Sequence, residues 1–257
     1  MQEIIIAIIA LLASALTFFS GFGLGTILLP VFAVFFPVDL AIALTAIVHF
    51  LNNVFKFFLT GKHIDKRVLL RFGIPSILAA FIGALLLNYL ADLPALHRYQ
   101  ISGKLFEITP IKLIIALLLI FFALFDIIPK LKNLNFSKKY LPIGGLISGF
   151  FGGLSGHQGA LRSAFLIRAG LKKENFIATG IAIACLIDVT RLSVYSKNIM
   201  KVHNDMDWKL VVIATLSAFI GAFLGNKILK NMTVESVQTV VAVALIIFAV
   251  FLGLGII

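Results

Sequence analysis

Six stretches of roughly 20 mostly apolar residues constrain this chain more than anything else in it: 39–60, 68–91, 110–128, 174–196, 208–229 and 234–256. A helix needs about 20 such residues to cross the hydrocarbon core of a bilayer. Within that core only helices and closed barrels satisfy every backbone polar group. Of the 257 residues 61% are hydrophobic and 13% charged, whereas a soluble domain carries about a quarter charged residues. The chain therefore reads as an all-α polytopic membrane protein. The apolar N-terminus begins at Ile4 without a basic leader and runs past the length of a signal core, so it reads as a membrane segment rather than a signal peptide. Cys185 is the single cysteine, which excludes an intrachain disulfide. The net charge of +11 points to topology and anionic lipid headgroups before nucleic acid.

Two further apolar runs, 4–36 and 140–169, are too long for one crossing, and glycine breaks each of them. The first break reads Ser20-Gly-Phe-Gly-Leu-Gly25-Thr26 and the second Ser148-Gly-Phe-Phe-Gly-Gly-Leu-Ser155-Gly-His157-Gln158-Gly159. Each run either crosses once as a kinked helix or turns back as a re-entrant hairpin. Lys and Arg accumulate in cytoplasmic loops. Single crossings would divide the loop cations 11 to 8, and hairpins would divide them 13 to 6, so the loop charges favour hairpins. The sequence also repeats itself. SGF at 20–22 recurs at 148–150, AFIGA at 80–84 recurs at 218–222, and Asn53-Val54-x-Lys56 matches Asp188-Val189-x-Arg191. The expected organisation is a first membrane repeat at 1–128, a basic cytoplasmic linker at 129–139 and a second repeat at 140–257. Each repeat would be a re-entrant helical hairpin plus three transmembrane helices. Three crossings per repeat invert the second against the first, a common transporter plan, and both termini would face outward.

Polar residues interrupt the apolar pattern at regular intervals. His49, Asn52, Asn53 and Lys56 are spaced 0, 3, 4 and 7, which puts all four on one helical face. Asp188, Arg191 and Tyr195 form the corresponding stripe in the second repeat. Lys56 could snorkel to the interface, and Asp188 and Arg191 could neutralise each other across one turn. However, a charge at the centre of a spanning helix costs about 2.5–3.5 kcal/mol on insertion scales, and such residues mark pathways and sites. The glycines could serve close helix packing alone. Alternatively, a broken helix at mid-membrane presents unpaired backbone N–H groups suited to an anion. The first tip supplies Gly23, Gly25 and Thr26. The second supplies Ser155, His157, Gln158 and, one turn on, Arg162.

These motifs resemble the TauE/SafE family of sulfite and organosulfonate exporters. The resemblance is carried by SGFGLGTILLP, by GGLISGFFGGLSGHQGALRSAFLI and by the duplicated apolar halves, and it spans nearly the whole chain. It implies a multi-pass transporter of the inner membrane, with basic loops cytoplasmic, for small sulfur-containing anions such as sulfite, sulfoacetate and other sulfonates. A relative branch is associated with thiosulfate import. The expected substrate site comprises Lys56, Asn52, Asn53, Arg191, Arg162, Ser155, His157, Gln158, Gly23, Gly25 and Thr26. His49, His157 and Asp188 are the candidates for a coupling proton, because histidine titrates near neutrality when unperturbed. Alternating access would come from one repeat rocking against the other.

An anion channel, or an importer of a related anion, would use similar residues. An enzyme is not expected. There is no HExxH-like metal pair, no close pair of intramembrane carboxylates and no acidic residue beside the Ser-Gly-His of the second tip. No metal or cofactor is expected. The partners are the small anionic substrate and membrane lipids, with no nucleic acid. The Phe-rich outer faces allow a homodimer.

Overall fold

The computed structural model describes residues 2–20, 23–132, 134–201, 208–228 and 235–257. Gly21 and Phe22 of the first glycine-rich break, and Lys230 among the loop cations, lie outside the described residues, as do the side chains of Lys132, Lys197, Lys201 and Lys227.

The first apolar run forms two helices, α1 (Gln2–Ser20) and α2 (Leu24–Ala33). Three longer helices follow: α3 (Val38–Thr60), α4 (Lys66–Ala91) and α5 (Pro110–Ile127). After a short α6 (Pro129–Lys132), the second half repeats the order with α7 (Leu141–Ser155), α8 (Gly159–Leu166), α9 (Lys173–Lys201), α10 (Trp208–Ile228) and α11 (Glu235–Gly253). Among the described residues five helices are long and apolar enough to cross a membrane, namely those beginning at Val38, Lys66, Pro110, Lys173 and Trp208. α11 occupies the sixth expected span. The outer surface carries exposed apolar side chains such as Phe58, Leu78, Ile82, Leu117, Val212 and Val240, as a lipid-facing surface requires. The protein is therefore an all-α polytopic membrane protein.

Helix ends follow local chemistry. Asp65 caps α4 by accepting from Val68 N at 2.9 Å, and Thr109 precedes Pro110 at the first position of α5, where a missing N–H costs nothing. α7 stops at Gly156, whose φ of 81° is the left-handed conformation that glycine adopts freely. The chain then doubles back. Gly144 in the first turn of α7 lies against the ring of Phe165 in the last turn of α8. Phe136, just before α7, stacks on that ring at 4.3 Å between centroids and donates its N–H to the Ala164 carbonyl at 3.1 Å. On a continuous helix at 1.5 Å per residue, residues 144 and 165 would be about 30 Å apart. The second apolar run is thus a hairpin.

The two halves pack reciprocally: α4 lies along α7 as α10 lies along α1, and α3 against α9 and α5 against α11 close the arrangement. The duplicated AFIGA motif explains the first pair of contacts. A Cβ at Gly83 would strike the Phe150 carbonyl of α7, and a Cβ at Gly221 would strike the Leu11 carbonyl of α1. From the α7 side, Gly145, Gly149 and Gly153 meet the carbonyls of Phe72, Ser76 and Ala80, so small residues let two backbones approach closely. The SGF repeat does not occupy matching places. Ser20 is the last residue of α1, whereas Ser148 lies two turns before the end of α7. The intervals that agree are Leu24 to Gly159, where α2 and α8 begin, and Asn53 to Asp188, both 135 residues.

One element departs from the helical plan. Strands β1 (His97–Ile101) and β2 (Lys104–Ile108) pair antiparallel between α4 and α5, turned by Ser102 and Gly103, both at positive φ. The hairpin rests on the C-terminus through a hydrogen bond from Tyr99 Oη to the Leu254 carbonyl at 2.6 Å.

Candidate functional site

The face of α3 expected from its spacing is buried rather than turned to headgroups. His49, Asn52, Asn53 and Lys56 are each at most 6% exposed. Lys56 therefore does not snorkel. Around it, Ser14 of α1 lies 3.1 Å from the Asn52 side chain. With the Asn52 amide oriented so that its nitrogen donates to the Ala218 carbonyl of α10 at 3.1 Å, its oxygen accepts from Lys56 Nζ at 3.3 Å.

The matching face of α9 meets α3 at mid-helix. Asp188 is fully buried, and each of its oxygens is occupied. Oδ1 accepts from Arg191 Nε at 3.0 Å and Nη2 at 2.7 Å. Oδ2 accepts from His49 Nδ1 at 2.7 Å and Asn53 Nδ2 at 3.1 Å. Isolated burial of the carboxylate would be very costly. Here two charge-assisted guanidinium N–H groups on one oxygen and two further donors on the other satisfy it. Arg191 keeps one nitrogen, Nη1, without a hydrogen bond, packed against Gly156. Tyr195, a turn further along, donates to the Gly153 carbonyl and ties α9 to α7.

Beside this cluster lies a cavity of about 550 Å³ including its mouth, lined by residues of both halves. Thr17, Gly23, Leu24, His49, Asn53 and Lys56 come from the first half, and Arg162, Ser163, Leu166, Phe176, Ile177, Gly180 and Ile181 from the second. No carboxylate is among these described lining residues. Arg162 Nη1 donates to Gln158 Oε1 at 3.3 Å, and its Nε lies near Gly180, 3.5 Å from where a Cβ would stand. Gly23 sits at the start of α2, so the positive end of that helix dipole borders the cavity.

A second, smaller cavity lies on the far side of Gly23 and is lined by Thr26, Phe122, Asp126, His157, Gly159 and Ala160. His157 stacks nearly parallel on Phe122. Its Nδ1 lies 3.1 Å from the Ser155 carbonyl and 3.2 Å from the Ser155 hydroxyl, and its Nε2 makes no hydrogen bond. The Ser155 hydroxyl also donates to the Phe151 carbonyl at 3.1 Å. The carbonyl oxygen of Gln158 accepts from Ser148 Oγ at 3.2 Å.

The expected site residues thus separate into groups in space, and Asn52 faces Ser14 and Ala218 and lines neither cavity. Lys56, Asn53, His49, Gly23 and Arg162 surround the larger cavity. Thr26 and His157 line the smaller one, while Ser155 and Gln158 hold the second hairpin tip and Gly25 packs on Thr45 and His49. Asp188 and Arg191 form an ion pair behind the first group, lining neither cavity. Thr17, Ser163 and Gly180 were not legible beforehand, being single small residues in apolar surroundings. Among the described residues no cluster of three metal-ligating side chains occurs.

Buried cations and glycine-broken helices meet around a cavity within a polytopic helical fold, an arrangement suited to a protein that passes a small solute across a membrane. The chain belongs to the sulfite exporter TauE/SafE family, whose model matches residues 6–252. No curated protein matches the chain.

Proposed function

We propose that the protein is a secondary transporter that exports small sulfur-containing anions, such as sulfite, sulfoacetate or another sulfonate, across the inner membrane, with its basic loops cytoplasmic. The larger cavity is the substrate site. One observation carries this reading: Lys56 and Arg162, from opposite halves of the chain, face the same cavity, and among the described residues that line it there is no carboxylate. Two cationic side chains lining one cavity attract an anion, and the Arg162 guanidinium suits its oxygen atoms. Asn53, Thr17 and Ser163 supply further polar groups. The reciprocal packing of the halves supports inverted repeats that rock about this site and expose it alternately.

A thermal-shift panel of sulfite, sulfoacetate, taurine, thiosulfate and simple carboxylates on purified protein tests the site, because a ligand that binds the folded state raises the melting temperature. The expected result is a rise with a sulfur oxyanion that disappears in Lys56→Ala and Arg162→Ala. A wild-type response in both variants would place the site elsewhere. Counterflow in proteoliposomes separates carrier from channel, and thiosulfate uptake against its gradient would support import instead.

A further inference from the structure

We propose that His49 is a proton-binding group of this cavity, so that the anion and a proton bind together. The inference rests on the anion-site reading above. A carboxylate only accepts hydrogen bonds, so the 2.7 Å contact with Asp188 Oδ2 assigns the hydrogen of neutral His49 to Nδ1. Nε2 then holds the lone pair and is the nitrogen that takes up a proton. The ring lines the cavity alongside Lys56 and Arg162. On its Nε2 side stands Gly23, where an added Cβ would lie 3.6 Å from that nitrogen. Asn53 Nδ2 lies 3.1 Å from Nδ1 and 3.4 Å from Nε2.

The charged and titratable groups facing His49 are few. Asp188 and Arg191 approach from α9, Lys56 from its own helix, and His157 from the second hairpin tip. Arg162 of α8 stands across the cavity. α2 contains no titratable residue, and Lys209 of α10 pairs with Glu3 at an exposed end. Lys62 and His63, in the turn that follows α3, are exposed. Asp188 and Arg191 pair with each other, while Lys56 and Arg162 line the cavity with His49. Protonation of His49 adds positive charge there, held on its other side by Asp188. An anion in the cavity therefore favours the proton, and the proton favours the anion by the same factor. The proton also strengthens a contact between α3 of the first half and α9 of the second, which a rocking motion must rearrange. His157 is placed differently. It lines the other cavity and hydrogen-bonds to no carboxylate.

Isothermal titration with sulfate and isethionate tests this between pH 6 and 8, where neither anion changes charge. Binding is measured in two buffers of different ionisation heat, so the difference reports protons taken up. Wild type is expected to take up a measurable fraction of about one proton per anion, with affinity falling up to about tenfold per pH unit. His49→Asn retains a donor for Asp188 and is expected to take up clearly fewer protons per anion than wild type, with a weaker pH dependence of affinity, Lys56 being still in the cavity. His157→Asn is expected to keep wild-type uptake. Absence of uptake in wild type, uptake in His49→Asn equal to that of wild type, or its loss in His157→Asn would overturn the proposal. The first and last of these outcomes decide even where His49→Asn does not fold. Failure of every anion to bind would remove the anion site and the linked proton together, whereas binding without uptake would remove the proton alone.

Discussion

The Asp188 carboxylate lies 2.7 Å from His49 Nδ1, across the contact between α3 and α9 and 139 positions away in the chain. Its other oxygen holds Arg191. A fully buried ion pair contributes little net stability, but removing one partner leaves an uncompensated charge, at a cost of about 3–5 kcal/mol. Asp188→Ala is therefore expected to lower the apparent melting temperature of the detergent-solubilised protein sharply. Arg191→Ala is expected to do the same. The double change Asp188→Asn with Arg191→Gln should recover most of the loss, because no lone charge remains. A double variant as unstable as the worse single variant would contradict the pairing.

Gly180 separates occupancy of the cavity from stability. A Cβ there would lie 3.5 Å from Arg162 Nε and 4.0 Å from a Leu166 methyl, which is ordinary contact. Gly180→Ala should fold at least as well as wild type, since alanine in a helix is favoured over glycine by up to about 1 kcal/mol. Gly180→Leu should project into the cavity beside Arg162 and sharply reduce the anion-induced thermal shift while the protein remains folded by size exclusion. Full anion response in Gly180→Leu would show that this cavity is not the site.

The glycine seam between α4 and α7 has no such slack. A Cβ at Gly149 would collide with the Ser76 backbone, and backbone gives way far less readily than a side-chain end. Gly149→Ala should destabilise by about 1–3 kcal/mol or more. Ile147→Ala, on the exposed face of the same helix, should change the melting temperature little.

The helical period made the α3 stripe legible, since spacings of 0, 3, 4 and 7 leave one face whichever neighbour covers it. The i,i+3 relation of Asp188 to Arg191 was equally local, and the ion pair is one of the two readings it allowed. What covers those faces was not local. The duplication leads to the expectation that Lys56 and Arg162 share one site, but no local pattern pairs His49 with Asp188, because that meeting depends on how α3 and α9 pack. The SGF recurrence misled, as three small or apolar letters recur easily among glycine-rich segments. The β1–β2 hairpin announced itself only through Ser102-Gly103 between two five-residue strands, a signal obscured by its position between long apolar helices.

The course of the apolar runs through the membrane can be settled by labelling. Phe136 N–H bonds to the Ala164 carbonyl, so the chain entering α7 and the chain leaving α8 are neighbours. Lysines cluster at both places, at Lys138 and Lys139 and at Lys172 and Lys173. In a Cys185→Ser background, Ser137→Cys and Lys172→Cys should react with an impermeant maleimide from the same side of sealed vesicles. A single kinked crossing at 140–169 would place them on opposite sides. Lys104→Cys, at the start of β2, should react from the other side, since α5 intervenes between it and the basic linker. If the first run is also a hairpin, Gln2→Cys and Asp39→Cys should share the side of Lys104→Cys, because α3 and α4 then carry the chain across and back. Labelling of Gln2→Cys and Asp39→Cys from opposite sides would make the first run a single crossing and remove the inverted symmetry on which the rocking model depends.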